Sequence, residues 1–139
     1  MKRIRATVAL VAAMIAASAW AGLYDQPYAL VESGDRKPAQ QEDVIGLSRI
    51  DGKSPRNPRR SDPLPPGRHS IQVHYSSARA AVIVDDLQTI ELELEPCKRY
   101  RIAAKYEADY VSGKWAPVVQ KVEDIGECKR KFMSATGTK

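Results

Sequence analysis

Residues 69–75 alternate without a break. His69, Ile71, Val73 and Tyr75 take every second position, with Ser70, Gln72 and His74 between them. A period of two marks a strand with one buried face and one wet face. The period returns at Ile90, Leu92 and Leu94 against Glu91, Glu93 and Glu95. It returns again at Tyr100, Ile102, Ala104 and Tyr106 against Arg99, Arg101, Ala103 and Lys105. The glutamates must face water, because a buried unpaired carboxylate is costly. Residues 28–31, 44–50, 80–84 and 115–122 read as further strands. Turn signals bound them: Ser33-Gly34-Asp35, Asp51-Gly52, Asp85-Asp86 and Ser112-Gly113, with Pro96 as a stop. This pattern predicts an all-β fold, a small sandwich of about seven antiparallel strands. Val118, Val122 and Ile125 also fit one helical turn, which allows a short C-terminal helix.

Two stretches break the alternation. Between 53 and 67 the chain carries Pro55, Pro58, Pro63, Pro65 and Pro66 among Arg56, Arg59 and Arg60. Proline supplies no N–H to a ladder, so an extended, solvated loop is expected. At its end Pro66 presets one turn angle, and Gly67 can take the positive φ that often follows. Residues 129–139 are polar and read as a disordered tail. If Pro96-Cys97-Lys98 joins two neighbouring strands, Glu91, Glu93 and Glu95 would face Arg99, Arg101 and Lys105 across one antiparallel ladder.

The N-terminus changes the picture. Lys2, Arg3 and Arg5 precede an apolar run at 6–17, and Ala19-Trp20-Ala21 supplies an A-x-A site. This is the anatomy of a secretory signal peptide, 1–21. The run is shorter than the roughly 20 residues of a membrane-spanning helix. A mature chain starting at Gly22 is expected, periplasmic or secreted, with no transmembrane or lipid anchor. It forms one domain, 22–128, followed by the tail. Loss of three basic residues takes the net charge from +5 to about +2, too little for the concentrated basic face of a nucleic-acid binder. Cys97 and Cys128 are an even pair in an exported chain and predict a disulfide.

Candidate chemistry is sparse. His69 and His74 are five apart on one strand, point to opposite faces and cannot share a metal from that strand. No G-x-S-x-G elbow and no Gly-rich phosphate loop occurs. Asp85-Asp86 reads as a turn. No enzymatic activity, cofactor or metal is expected. Two features suit recognition. The loop arginines Arg56, Arg59 and Arg60 could meet an anionic partner, such as a lipid headgroup or polysaccharide. Tyr110, Lys114 and Trp115 lie on the hairpin that begins at Tyr106, where exposed aromatics contact proteins or sugars. Trp115 also suits a place capping the core.

The run Ile50-Asp51-Gly52, then Leu64-Pro65-Pro66-Gly67-Arg68-His69-Ser70-Ile71-Gln72-Val73, and later Pro96-Cys97-Lys98-Arg99-Tyr100-Arg101-Ile102, resembles PEGA-like and DUF2846-like modules of bacterial envelope proteins. The resemblance covers roughly residues 44–104. It departs at Cys97, where glycine is usual, and at the long Pro/Arg loop. It implies a transthyretin-like or carboxypeptidase-regulatory-like sandwich without catalytic residues. The expectation is an exported, non-catalytic binding or accessory module of the cell envelope, whose partner is a protein or an anionic envelope component. The alternative is a small secreted inhibitor that presents loop 53–66 to a hydrolase.

Overall fold

The computed structural model describes residues 22–79, 82–107 and 113–133, with side chains for all of these except Arg79 and Val82. Residues 1–21, where a signal peptide is expected, residues 80 and 81 of an expected strand, Tyr110, Ser112 and residues 134–139 lie outside them. Seven strands are present among the described residues: β1 (Leu30–Ser33), β2 (Glu42–Asp43), β3 (Gly46–Ile50), β4 (Gly67–Arg79), β5 (Val82–Leu94), β6 (Lys98–Tyr106) and β7 (Trp115–Asp124). A short helix, α1 (Gly126–Phe132), follows.

The strands form two sheets, β3-β4-β5 and a four-stranded sheet centred on β6. β7 covers the whole of β6 on one side. β1 and β2 therefore share the other side, β1 parallel and β2 antiparallel. The architecture is the expected all-β sandwich, but one sheet is mixed rather than wholly antiparallel.

The alternation sets the core. Val31, Leu47, Ile71, Val73, Leu94, Tyr100 and Ile102 meet between the sheets, and Trp115 packs on Tyr75 at 5.2 Å between ring centroids. Residues 28–31 are apolar on both faces because both are covered. Ala29 and Val31 join this core, while Tyr28 and Leu30 pack with Cys97, Ile125 and Cys128 in a second cluster. The Cys97–Cys128 disulfide holds α1 to the β5–β6 crossover. Cys97 sits at φ 59°, a conformation glycine favours.

Several expectations are corrected. Residues 82–84 and 90–94 belong to one strand, and Asp85-Asp86 is no turn: these two aspartates pair with Ser76 and Tyr75 inside the β4–β5 ladder. Beyond His74, β4 has lost its β3 partner, and Asp85 faces solvent, where a carboxylate carries no burial penalty. The glutamate and arginine strands do not pair. β5 pairs with β4, β6 lies in the other sheet, and Pro96-Cys97 carries the chain across. Arg68, not a residue of β6, meets Glu91 at 2.7 Å. Val118 and Val122 are strand residues, and the helix begins after Ile125. Lys129 to Phe132, expected at the start of a disordered tail, complete that helix, which Cys128 anchors.

The Pro/Arg loop departs furthest from expectation. It is laced to the edge of β1 by its backbone. Ala29 and Leu64 exchange N–H···O bonds at 2.8 and 2.9 Å. Ser61 N–H donates to Val31 O at 2.8 Å, and Ser33 N–H to Arg59 O at 2.9 Å. Leu47 N–H of β3 donates to Pro58 O at 2.7 Å. Residues 58–64 thus bridge the edges of both sheets. The loop is hinged at Asp51-Gly52, where both residues have positive φ and Ile50 bonds to Lys53.

Candidate functional site

A cleft of about 760 Å³ lies at the disulfide end. β1 contributes its flank at Tyr28, β6 contributes Arg99, the laced loop contributes Arg60, and α1 contributes Glu127 and Lys131. Tyr24 completes the wall, its ring edge-on to Tyr28 at 5.1 Å. Lys131 Nζ donates to Tyr24 O at 2.9 Å and pins this N-terminal segment to the helix. Each side chain has a structural reason for its place. The loop is fixed by Ser61, which holds Val31 N–H through its hydroxyl at 2.9 Å. The helix is fixed by the disulfide.

Charge in the cleft is predominantly positive. Glu32 is largely buried and is shared by Arg99 at 3.2 Å, Arg60 at 3.6 Å and Arg101 at 4.0 Å. One carboxylate cannot neutralise three guanidinium groups. Arg101 turns to Glu123 at 2.9 Å, so the excess falls on Arg60 and Arg99. Asp124, also on the rim, is held by Lys98 at 2.5 Å and Lys129 at 2.9 Å. Hydrogen bonds from these two lysines keep its carboxyl below the ordinary range. Burial, followed by the nearby Glu127, raises the Tyr28 phenol above its usual value, so it remains neutral. Guanidinium forks beside phenol hydroxyls suit carboxylate, phosphate or sulfate groups. No histidine, serine, threonine or free thiol lines the cleft.

Of the loop arginines Arg56, Arg59 and Arg60, only Arg60 lines this cleft. Arg56 is exposed beside Asp62 at 3.8 Å. Arg59 is exposed, and its carbonyl serves the lacing. Lys114 lines a second cleft with Asp86 and Gln88. Trp115 is buried; its indole N–H donates to Asp86 at 3.3 Å, so it packs the core rather than offering a recognition surface. The histidines lie on opposite faces. His69 is buried, with Nδ1 at 2.5 Å from Asp51 and Nε2 at 2.6 Å from Pro65 O. His74 bonds to Asp85. The Ser70 N–H and the His69 ring hold the Asp51 carboxyl below its ordinary value. No cluster of three or more metal-ligating side chains occurs among the described residues.

Tyr24, Tyr28, Arg99 and Lys131 were not legible as a site. The signal available was the cysteine pair: a bond from Cys97 to Cys128 brings residues 99 and 131 to one end of the fold. Comparison of the chain with family models, curated proteins and solved structures finds no match in any of the three.

Proposed function

We propose that the protein is an exported, non-catalytic β-sandwich that acts as a binding or accessory module of the bacterial cell envelope. Its disulfide-end cleft takes an anionic partner. The observation that carries this reading is the convergence of Arg60, Arg99 and Lys131 with two tyrosines around one cleft lined by no histidine, serine, threonine or free thiol. The Cys97–Cys128 bond suits an oxidising compartment. No described helix is long and apolar enough to cross a membrane.

Two measurements test it. The intact mass of the secreted protein should match a chain beginning at Gly22; retention of Met1 removes the export reading. Binding is read by cosedimentation with phosphatidylglycerol vesicles and by titration with heparin, with phosphatidylcholine vesicles as the control. One anionic probe should bind at low salt and release as salt rises. Arg60→Ala with Lys131→Ala should weaken it at least fivefold. Indifference of both probes to these substitutions overturns the cleft assignment.

The inhibitor alternative draws on the same lacing, since a preorganised loop binds at lower entropic cost. Rapid proteolytic cutting within 53–66 in the native protein counts against it.

A further inference from the structure

The sandwich is open between β5 and β7. Each is an edge strand, β5 paired only with β4 and β7 only with β6 among the described residues. Two clasps join them to the opposite sheet. At one end Gln88 Nε2 donates to Trp115 O at 2.9 Å. At the other the Tyr100 hydroxyl accepts from Glu95 N–H at 2.8 Å and donates to Glu93 O at 3.4 Å. Between the clasps the inner faces are incompletely covered. Val119 lies opposite Ile102, and Val122 opposite Tyr100, so both valines share the core face of the sheet. Ile102 is fully buried, yet Val119 is 37% and Val122 48% exposed. On β5, Ile90 and Leu92 share the face of buried Leu94 and are only partly buried.

The edge of β5 is polar and regular. Glu93 and Glu95 turn their backbone groups toward Tyr100, away from β4. The two-residue period of a strand turns those of Thr89 and Glu91 the same way, into the opening. On the outer face Glu91, Glu93 and Glu95 are all exposed, and Arg68 pairs with Glu91. The β7 edge is less receptive, because Pro117 offers no N–H and the register shifts near Gln120.

We propose that this opening is a strand-addition site for an extended peptide whose side chains alternate between apolar and basic. Its backbone would pair with Thr89 and Glu91. Its apolar side chains would cover Ile90, Leu92, Val119 and Val122. Its basic side chains would meet the glutamate row, and this charge complementarity selects the occupant. From Gln88 to Glu93 the edge offers roughly 17 Å, enough for five or six residues.

The probe is a nine-residue peptide of alternating lysine and valine with blocked termini. The controls are the same composition in two blocks and an alternating glutamate–valine peptide. Fluorescence anisotropy should show the alternating basic peptide binding at least tenfold more tightly than either control. It should slow hydrogen exchange at the Thr89 and Glu91 amides. Glu91→Lys with Glu93→Lys should weaken it at least tenfold. Thr89→Pro should abolish it, since that N–H lies outside the β4 ladder, and Val122→Lys provides an independent block if the proline variant does not fold. Arg60→Ala should leave peptide binding unchanged, which separates this surface from the basic cleft. Equal binding of the block peptide, no binding at millimolar peptide, or protection of the same amides by self-association without peptide overturns the proposal.

Discussion

Ser61→Ala tests whether the Pro/Arg loop is part of the fold or merely lies against it. The Ser61 side chain holds Val31 N–H at 2.9 Å in a buried site, and Val31 itself is fully buried. Alanine keeps the backbone bond from Ser61 N–H to Val31 O and leaves almost no cavity. The substitution therefore isolates one interaction. A buried N–H that loses its partner costs about 1–3 kcal/mol. For a domain of this size that lowers Tm by roughly 4 °C per kcal/mol. Ser54→Ala is the matched control: it lies in the same loop, is exposed, and should change stability by less than about 0.5 kcal/mol. Urea unfolding of both variants, compared at equal m-value, measures the difference. Arg60 is the adjacent residue, so loosening the lacing should also weaken heparin binding with every cleft cation intact. If Ser61→Ala unfolds within about 0.5 kcal/mol of the parent, the lacing does not hold the loop and the argument for a preformed cleft fails.

Reduction of Cys97–Cys128, which are 31 residues apart, should lower stability by about 3–4 kcal/mol on the chain-entropy account, read as a drop in Tm in dithiothreitol. Thiol titration of the native protein that finds two free cysteines contradicts the bond. Asp51 and Asp124 both have folded values below the unfolded 3.8, so their contribution is present above that value and disappears as pH falls through the folded ones. A Tm profile from pH 6 to 2.5 should fall at its acid end, and Asp51→Asn should flatten part of the fall; an unchanged slope refutes the assignment. Ile102→Ala should cost about 2–5 kcal/mol in denaturant unfolding, against less than about 1 for Glu93→Ala, and equal costs would contradict the inward and outward assignment of these strands.

The alternating strands were legible because burial itself imposes their period. Ile71, Val73, Leu94, Tyr100 and Ile102 are all buried as their spacing requires. Ile90 and Leu92 keep the period but are only partly buried, because β7 does not close over them. Asp51-Gly52 and Gly67 were legible as turns because their positive φ suits those residue types. The parallel pairing of β1 with β6 left no local mark, since partner choice depends on residues far along the chain. β2 was missed because Glu42-Asp43 looks like a surface dipeptide. Asp43 is buried through accepted bonds from Arg36 Nε at 2.8 Å and the Tyr75 hydroxyl at 3.2 Å. The lacing of loop 58–64 is made almost wholly by backbone groups, which every sequence possesses. The cleft joins residues 24, 60, 99 and 131, a set that only the completed fold brings together.

The pairing of Leu30 with Arg99 also dictates an order of events. β1 is made early, yet its ladder partner follows only after β3, β4 and β5. β4 and β5 pair from end to end, and β3 pairs with β4 across the 51–66 loop, so these three strands can assemble without β6. β1, the loop that laces to it, and α1 must wait for β6, because each docks on a surface that β6 helps to form. Non-local pairing of this kind closes slowly. Folding is thus expected to begin in the β3-β4-β5 meander and to end at the disulfide cluster, so that oxidation of Cys97 and Cys128 records completion of the chain rather than guiding its early steps.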